Sequence, residues 1–225
     1  MKIKEGLRHL LFPSRCMLCG TVLEGDRQIC PACMEKTVLR GGPGRRSPEM
    51  HFDGAAAALH YTGAVRKAIH RLKYGEKQSY ARPLARLMQE AAERQLRQSF
   101  DLITFVPCNP ETVRRRGYNQ SRLLAEELAA RLQRPCVETL SKVRSTQPMY
   151  GLKPRERREN IRGAYGLCCP ETGIAGKVIL VADDVLTTGS TLSECAATLK
   201  KHGAAAVFGV CAAAAEENGK NFTNF

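Results

Sequence analysis

The sequence predicts an α/β fold in which helices flank a mostly parallel sheet, preceded by a small cysteine-rich module. Short apolar segments of strand length alternate with segments whose apolar residues recur at helical spacing. Strands that alternate with helices form βαβ units, which build parallel sheets with helices on both faces. Because ligands of open α/β sheets bind at the carboxyl ends of the strands, the loops after the strands are the first places to search for a site.

The predicted elements divide the 225 residues into two parts. Residues 1–48 hold a short helix at 1–11, the cysteine module and a linker rich in Gly, Pro and Arg at 40–48, and residues 49–225 form the α/β domain. Strands are expected at 54–60, 102–106, 178–181 and 205–211. Helices are expected at 64–74, 84–91, 119–132, 154–161 and 190–200.

The composition predicts a globular protein with a strongly basic surface. Lys and Arg number 35 against 22 Asp and Glu, a formal net charge of +13. Such a surplus favours polyanionic partners such as nucleotides, pyrophosphate or a nucleic-acid backbone, although a basic surface can also serve solubility alone. No stretch reaches the roughly 18 apolar residues of a membrane helix, and charged residues interrupt the first eleven positions, unlike a signal peptide. We therefore expect a cytoplasmic protein without a membrane span.

The cysteine module carries two Cys-x2-Cys pairs, Cys16 with Cys19 and Cys30 with Cys33. Each pair can place two thiolates on one turn, and two pairs complete the tetrahedral sulfur set of a structural Zn²⁺ site. A redox-active pair or free cysteines are the alternatives, but four such residues so close together favour zinc. The pattern predicts a small zinc ribbon that holds one structural zinc ion.

The segment 178–191 reads VILVADDVLTTGST and predicts a site for ribose 5-phosphate. The carboxylates Asp183 and Asp184 follow an apolar strand. Small and hydroxyl-bearing residues then lead into a helix: Thr187, Thr188, Gly189, Ser190 and Thr191. Backbone N–H groups at a glycine turn and a helix N-terminus bind phosphate, whereas ionised carboxylates accept hydrogen bonds and suit sugar hydroxyls. The alternative is an ordinary strand–loop–helix connection with a Ser/Thr cap.

The loop after the strand at 102–106 predicts a site for pyrophosphate. Pro107 and Cys108 open this loop, and Arg116 and Gly117 follow in the run RRRGYNQ. If that run begins a helix, its N–H groups and Arg116 point to the place where a leaving group gathers charge. A solvated basic turn with an Asn cap is the alternative. Cys108 is also a conceivable nucleophile, but no histidine is placed by the sequence to activate it.

Residues 142–162 form a long basic segment with seven Lys or Arg and two Glu. Gln147, Lys153 and Arg158 are candidates for a lid that closes over pyrophosphate and excludes water, because long loops in compact domains are usually functional or mobile. The alternative is a solvated charged face.

These motifs together resemble a known family. The segment 178–191 is similar to the 5-phosphoribosyl 1-pyrophosphate (PRPP) loop of type I phosphoribosyltransferases. With the cysteine module, YTGAVRKAIHRLKY at 61–74, RGYNQ at 116–120 and the QxxxGL run from 147, the chain resembles the competence protein F (ComF/GntX) family over nearly its whole length. Two departures stand out. Thr187 replaces the acid that several purine-salvage enzymes carry there, and Met149 and Tyr150 lengthen the run after Gln147.

The resemblance implies a type I phosphoribosyltransferase-like fold with PRPP as ligand. It also implies that Asp183 and Asp184 hold the ribose 2′- and 3′-hydroxyls, and it implies a link to DNA uptake. We expect Mg²⁺ to bind with PRPP, mainly through oxygens of the ligand.

Two classes of function fit these features. A phosphoribosyltransferase would displace pyrophosphate from C1 of PRPP and transfer the pentosyl group to an acceptor. A nucleic-acid-handling protein would bind single-stranded DNA through its basic surface and use PRPP as a regulatory ligand. The sequence contains no recognisable pocket for a nucleobase, so it names no acceptor.

Overall fold

The computed structural model describes residues 14–25, 27–38, 49–75, 77–147, 151, 153–168 and 173–215. The helix expected at 1–11 and the linker at 40–48 lie outside these residues. Within them, no helix has the length and apolar character needed to cross a membrane.

The described elements follow the predicted alternation. In chain order the strands are β1 (Gly54–His60), β2 (Leu102–Phe105), β3 (Leu140–Lys142), β4 (Tyr165–Leu167), β5 (Val178–Leu186) and β6 (Ala206–Ala214). The helices are α1 (Pro31–Thr37), α2 (Gly63–Tyr74), α3 (Ala81–Gln95), α4 (Pro110–Arg116), α5 (Gln120–Leu132), α6 (Pro154–Ile161) and α7 (Ser190–Lys201), and a 3-10 turn spans Gln78–Tyr80.

Four strands form a parallel sheet in the order β1-β6-β5-β2. These strands are almost entirely buried, as expected for a parallel sheet covered on both faces. Strands β3 and β4, with helix α6 between them in the chain, pair separately as a two-stranded antiparallel sheet. The predicted α/β class is therefore confirmed.

Alternation along β5 shows which helices cover which face of the sheet. Leu180 and Ala182 face the cluster that includes the apolar sides of α2, α3 and α5. Ile179 and Val181 face the opposite cluster, which includes α7 and the two-stranded β3–β4 sheet. The carboxyl edge of the sheet therefore opens between α2 and α5 on one side and the start of α7 on the other.

The cysteine module packs against the α2–α3 face of the domain. Met17, Leu18 and Ile29 are buried in the same apolar cluster as α2 and α3. An isolated antiparallel bridge joins Val38 to Leu59 of β1. The module and the α/β domain thus share one hydrophobic cluster.

Three features differ from the sequence-based expectation. Strand β5 continues to Leu186, so both acidic residues lie inside it, because its pairing with β6 extends to Leu186 opposite Ala214. The two-stranded β3–β4 sheet was not predicted, and its strands have only three residues each. Helix α4 was also not predicted, although Asn109 caps it and Pro110 begins it.

Candidate functional site

An acidic pair at the carboxyl edge of β5 is the centre of the candidate site. Asp184 is buried, with 5% of its surface exposed. The Lys73 Nζ atom of α2 lies 2.9 Å from each Asp184 carboxylate oxygen, and the Gln120 Nε2 of α5 donates to Oδ2 at 2.7 Å. Asp183 Oδ1 accepts from the Ser121 hydroxyl at 2.9 Å and from the Asp184 N–H at 2.9 Å. Helices α2 and α5 therefore hold the pair in place.

Burial and mutual repulsion set the charges of this pair. Burial, and then the neighbouring Asp184 carboxylate, raise the pKa of Asp183 to about 7, against the hydrogen bond from the Asp184 N–H and the charge of Lys73. For Lys73, burial alone would lower the pKa, but the Asp184 carboxylate outweighs it and the pKa is raised. Lys73 thus stays cationic, while Asp183 titrates near neutral pH.

The turn between β5 and α7 has the geometry of an anion-binding loop. Gly189 adopts φ 81°, which L side chains rarely adopt, and a Cβ placed there would lie 3.3 Å from the Phe52 ring. Helix α7 starts at Ser190, Gly189 at its N-cap position has no side chain to accept a hydrogen bond, and the Ser190 N–H donates to the Thr188 hydroxyl at a long 3.4 Å. The Thr188 and Ser190 hydroxyls lie 2.8 Å apart. The first N–H groups of α7, the helix dipole and these hydroxyls can therefore bind a phosphate.

The loop after β2 lies beside the acidic pair. Pro107 is buried, and Cys108 is half-buried with its Sγ 3.4 Å from Asn119 Oδ1 and 3.5 Å from Gln120 Oε1. Asn119 fixes the loop because its Nδ2 donates to the Val106 carbonyl at 3.0 Å. Burial raises the pKa of the Cys108 thiol, which keeps it protonated at neutral pH and argues against a nucleophile.

Arg116 and Gly117 lie at the end of α4 rather than at the start of a helix. Gly117 follows α4 with φ 85°, and the next helix begins only at Gln120, with Asn119 as its predicted N-cap. The Arg116 guanidinium still points toward the site: it lies 4.7 Å from the Tyr74 ring centroid and donates to Gln120 Oε1. The side chain of Arg116 therefore reaches the crevice as expected. It does so from the last turn of α4 and not from the start of a helix.

The three lid candidates lie on the basic segment, away from the acidic pair. The Gln147 backbone exchanges hydrogen bonds with the Asn160 side chain at 3.0 and 2.9 Å. The Lys153 N–H donates to Glu156, and the Arg158 guanidinium lies 3.4 Å from Glu49. The partners described for the three candidates thus belong to the segment itself or are Glu49.

The sequence analysis missed three residues of this site, namely Lys73, Gln120 and Ser121. Gln120 and Ser121 directly follow the RGYN run, so their place in the first turn of α5 was a usable signal. Lys73 lies within the YTGAVRKAIHRLKY run, where it had no predicted role of its own. Its distinct role follows only from tertiary packing, because Asp184 is 111 residues away in the chain.

The four predicted zinc ligands do come together. The sulfur atoms of Cys16, Cys19, Cys30 and Cys33 all lie within 4.8 Å of one another. The Cys19 and Cys30 sulfurs are 3.7 Å apart, close to the ~3.8 Å expected for two ligands of a tetrahedral ion with Zn–S bonds of about 2.3 Å. The four sulfur donors thus fit a structural zinc ion.

Two family models match separate stretches of the chain. Residues 7–44 match the model of the double zinc ribbon domain, and residues 119–222 match that of the phosphoribosyl transferase domain. The crystal structure of adenine phosphoribosyltransferase from Thermoanaerobacter pseudethanolicus aligns with a TM-score of 0.39 at 18% identity, over 64% of this chain and 71% of that chain.

Two curated relatives match over most of the chain. The DNA utilization protein YhgH of Salmonella typhimurium is 31% identical over 201 residues, which are 85% of this chain and 86% of the relative. Competence protein F of Haemophilus influenzae is 30% identical over 194 residues, which are 84% of this chain and 79% of the relative. The chain belongs to the competence protein F (ComF/GntX) family, a family of type I phosphoribosyltransferase-like proteins with an N-terminal zinc ribbon.

Proposed function

We propose that the carboxyl edge of the sheet binds PRPP, or a related phosphoribosyl compound, together with Mg²⁺. The observation that carries this proposal is the adjacency of two complementary parts. The N-terminus of α7, which follows Gly189 in its left-handed conformation, can receive a phosphate. The acidic pair, five to six residues before Gly189 in β5, can receive sugar hydroxyls. A ribose phosphate needs both parts side by side.

In this proposal the 5-phosphate lies on the loop from Thr187 to Thr191. The N–H groups in the first turn of α7 have no intrahelical acceptors, and the Ser190 N–H makes only a long contact of 3.4 Å to the Thr188 hydroxyl. The Thr188 and Ser190 hydroxyls add donors. Gly189 contributes by its backbone alone, because a Cβ would press against Phe52. The helix dipole of α7 favours the negative charge.

Asp183 is the carboxylate that accepts the ribose hydroxyls. Its Oδ1 already accepts two hydrogen bonds, from Ser121 and from the Asp184 N–H, which leaves Oδ2 for a ligand. Asp184 is engaged by Lys73 and Gln120 on both oxygens, so it acts on the ribose partly by fixing the shape of the edge. Mg²⁺, when bound with PRPP, would neutralise pyrophosphate charge and orient the ligand.

Pyrophosphate lies, in the same proposal, against the loop of Pro107 and Cys108 and the Arg116 guanidinium. The basic segment with Gln147, Lys153 and Arg158 would close over it and exclude water. This chain's residues would then position the sugar and stabilise the leaving group, as transfer of a pentosyl group from PRPP requires. The acceptor is left open, so recognition of PRPP without transfer fits the same contacts.

The test is a calorimetric titration with ribose 5-phosphate and with PRPP and Mg²⁺, on the wild type and on Asp183→Ala with Asp184→Ala. We expect the wild type to bind both ligands and the double variant to lose at least tenfold in affinity while retaining its fold, because one charge-assisted hydrogen bond contributes about 1.5–3 kcal/mol. Unchanged affinity in the double variant would refute the ribose assignment.

We propose single-stranded DNA as a second partner, through the basic segment. The support is the exposure of its arginines, such as Arg155 with 89% of its side chain exposed, the net charge of +13, and the names of the relatives. Arg157→Glu with Arg158→Glu should lower both affinity and the salt slope, by about 0.7 per lost phosphate contact.

The matched control reverses Arg82 and Arg86, which are exposed on α3 across the sheet. Equal binding by wild type and the Arg157/Arg158 variant would exclude this segment as the DNA track. If the variant loses PRPP affinity instead, the segment acts as the lid.

We also propose a cytoplasmic location, where thiols remain reduced and available to zinc.

A further inference from the structure

Two cations stand beside the acidic pair with hydrogen-bond donors to spare. Lys73 comes from α2 and Arg116 from the end of α4. Gln120 links them, because its Nε2 donates to Asp184 and its Oε1 accepts from Arg116. Lys73, Asp184, Gln120 and Arg116 thus form one chain of contacts that ends next to the Pro107–Cys108 loop.

The Lys73 ammonium is more than a counter-ion for Asp184. It carries three N–H donors, and both Asp184 oxygens lie 2.9 Å from it. The contacts to the two Asp184 oxygens account for two of these donors. The side chain is 26% exposed, so the remaining N–H can be reached from the crevice.

Arg116 also has an unsatisfied donor. Its Nε is buried and has no hydrogen-bond partner in the described part of the chain. A buried N–H without an acceptor is costly, and a bound anion would remove that cost. The guanidinium is held over the Tyr74 ring, one residue from Lys73, so α2 positions both cations.

We propose that Lys73 is a ligand-binding residue and that, with Arg116, it forms an anion subsite on the α2 side of Asp184. This subsite takes the pyrophosphate group at C1 of the sugar, and it makes the site selective for a phosphoribosyl diphosphate over ribose 5-phosphate. The inference rests on the proposed function, because the phosphate loop and Asp183 are taken to hold the rest of the ligand.

The charge arrangement explains why a lysine serves here. A buried carboxylate next to a pyrophosphate would repel it, and Asp184 is only 5% exposed. Lys73 bound to both Asp184 oxygens cancels that charge and presents a donor to the anion at the same time. The 5-phosphate needs no such lysine, because the N-terminus of α7 supplies neutral N–H donors there.

The test uses the full chain and three probes: inorganic pyrophosphate, ribose 5-phosphate and PRPP, each with Mg²⁺. Lys73→Gln removes the cation but leaves an amide that can still donate to Asp184. Lys67→Gln is the matched control, because Lys67 lies on the exposed face of the same helix. Lys73→Arg keeps the cation.

We expect Lys73→Gln to lower the affinity for pyrophosphate and for PRPP about 10- to 100-fold, because one charge-assisted contact is lost. The affinity for ribose 5-phosphate should change by less than about threefold. Lys73→Arg should retain most of the affinity, and Lys67→Gln all of it. An equal loss for ribose 5-phosphate and PRPP would overturn the inference, because Lys73 would then act only by shaping the acidic pair. Unchanged affinity for all three probes would overturn it as well.

Two further readouts keep the outcomes distinct. If Lys73→Gln does not fold, acetylation of the wild type decides the question: pyrophosphate should protect Lys73 and not Lys67, and equal labelling of Lys73 with and without pyrophosphate overturns the inference. If the wild type binds neither ribose 5-phosphate nor PRPP, the proposed function itself has failed. If the wild type binds PRPP and Lys73→Gln binds it equally well, this inference alone is overturned.

Discussion

Replacing Asp183 by asparagine should make the protein more stable at alkaline pH and should lower its affinity for the phosphoribosyl ligand. Burial and the adjacent Asp184 carboxylate raise the pKa of Asp183 to about 7, from an ordinary value of 3.8. An asparagine keeps an oxygen that can accept from Ser121 and from the Asp184 N–H, but it carries no charge. The variant therefore removes the repulsion and leaves the local hydrogen bonds.

The sign of the effect follows from proton binding. Between about pH 4 and about pH 7 the folded carboxyl holds a proton that the unfolded chain releases, so stability falls as the pH rises through this window. Above about pH 7 both states are ionised and the full penalty applies. The raised pKa of Asp183 corresponds to at most about 4 kcal/mol of lost stability.

Urea unfolding followed by circular dichroism at about pH 5 and about pH 8 measures this difference. We expect the advantage of Asp183→Asn over the wild type to be larger at the higher pH by about 2–3 kcal/mol, because the unfolded carboxyl is already ionised at about pH 5 and part of the penalty applies there. Asp101→Asn is the control: Asp101 accepts from the Val178 N–H at the opposite end of β5, so its loss leaves the Asp183 slope intact. Equal pH slopes for the wild type and Asp183→Asn would refute the reasoning.

Two further predictions concern the zinc module and the phosphate loop. Protein purified under reducing conditions should contain about one zinc ion per chain, and Cys30→Ser should destabilise the module, because structural zinc contributes folding energy; metal analysis that finds no zinc would contradict this. Gly189→Ala should cost about 1–2 kcal/mol of stability for its positive φ and should abolish binding of ribose 5-phosphate. Gly176→Ala, at φ 71° with open space around an added Cβ, should cost similar stability but keep the ligand, so loss of binding in both variants would point to misfolding rather than to the loop.

The central sheet could be predicted because its strands carry their own signal. Short apolar runs form β1, β2, β5 and β6, and such runs predict buried parallel strands. The amphipathic pattern likewise predicted α2, α5 and α7 to within a residue or so of their ends. The cysteine spacing predicted the sulfur cluster, because ligand spacing within a turn is a local property.

The exact extent of β5 could not be read from the sequence. Asp is disfavoured in strands, so the acidic pair looked like the beginning of a loop. Tertiary pairing overrode this local preference, because β6 offers a ladder of small residues as far as Ala214. Whether a polar residue ends a strand or lies within it depends on the neighbouring strand, which the local sequence does not contain.

The contacts of the site were the least predictable part. The phosphate turn was visible because Gly189 and its neighbours are contiguous. The engagement of Asp184 by Lys73 was not, since it depends on how α2 packs against the sheet. Arg116 shows an intermediate case: its approach to the crevice was predicted, but α4, which carries it there, was not.

The crystal structure of the protein with PRPP and Mg²⁺ tests the central claim most directly. The account predicts density for the 5-phosphate within hydrogen-bond distance of the Ser190 and Thr191 N–H groups and for the ribose hydroxyls at the Asp183 carboxylate. It would be contradicted by a ligand that binds elsewhere, such as along the arginines of α6, or by an edge of the sheet that stays empty at a PRPP concentration that saturates binding in solution.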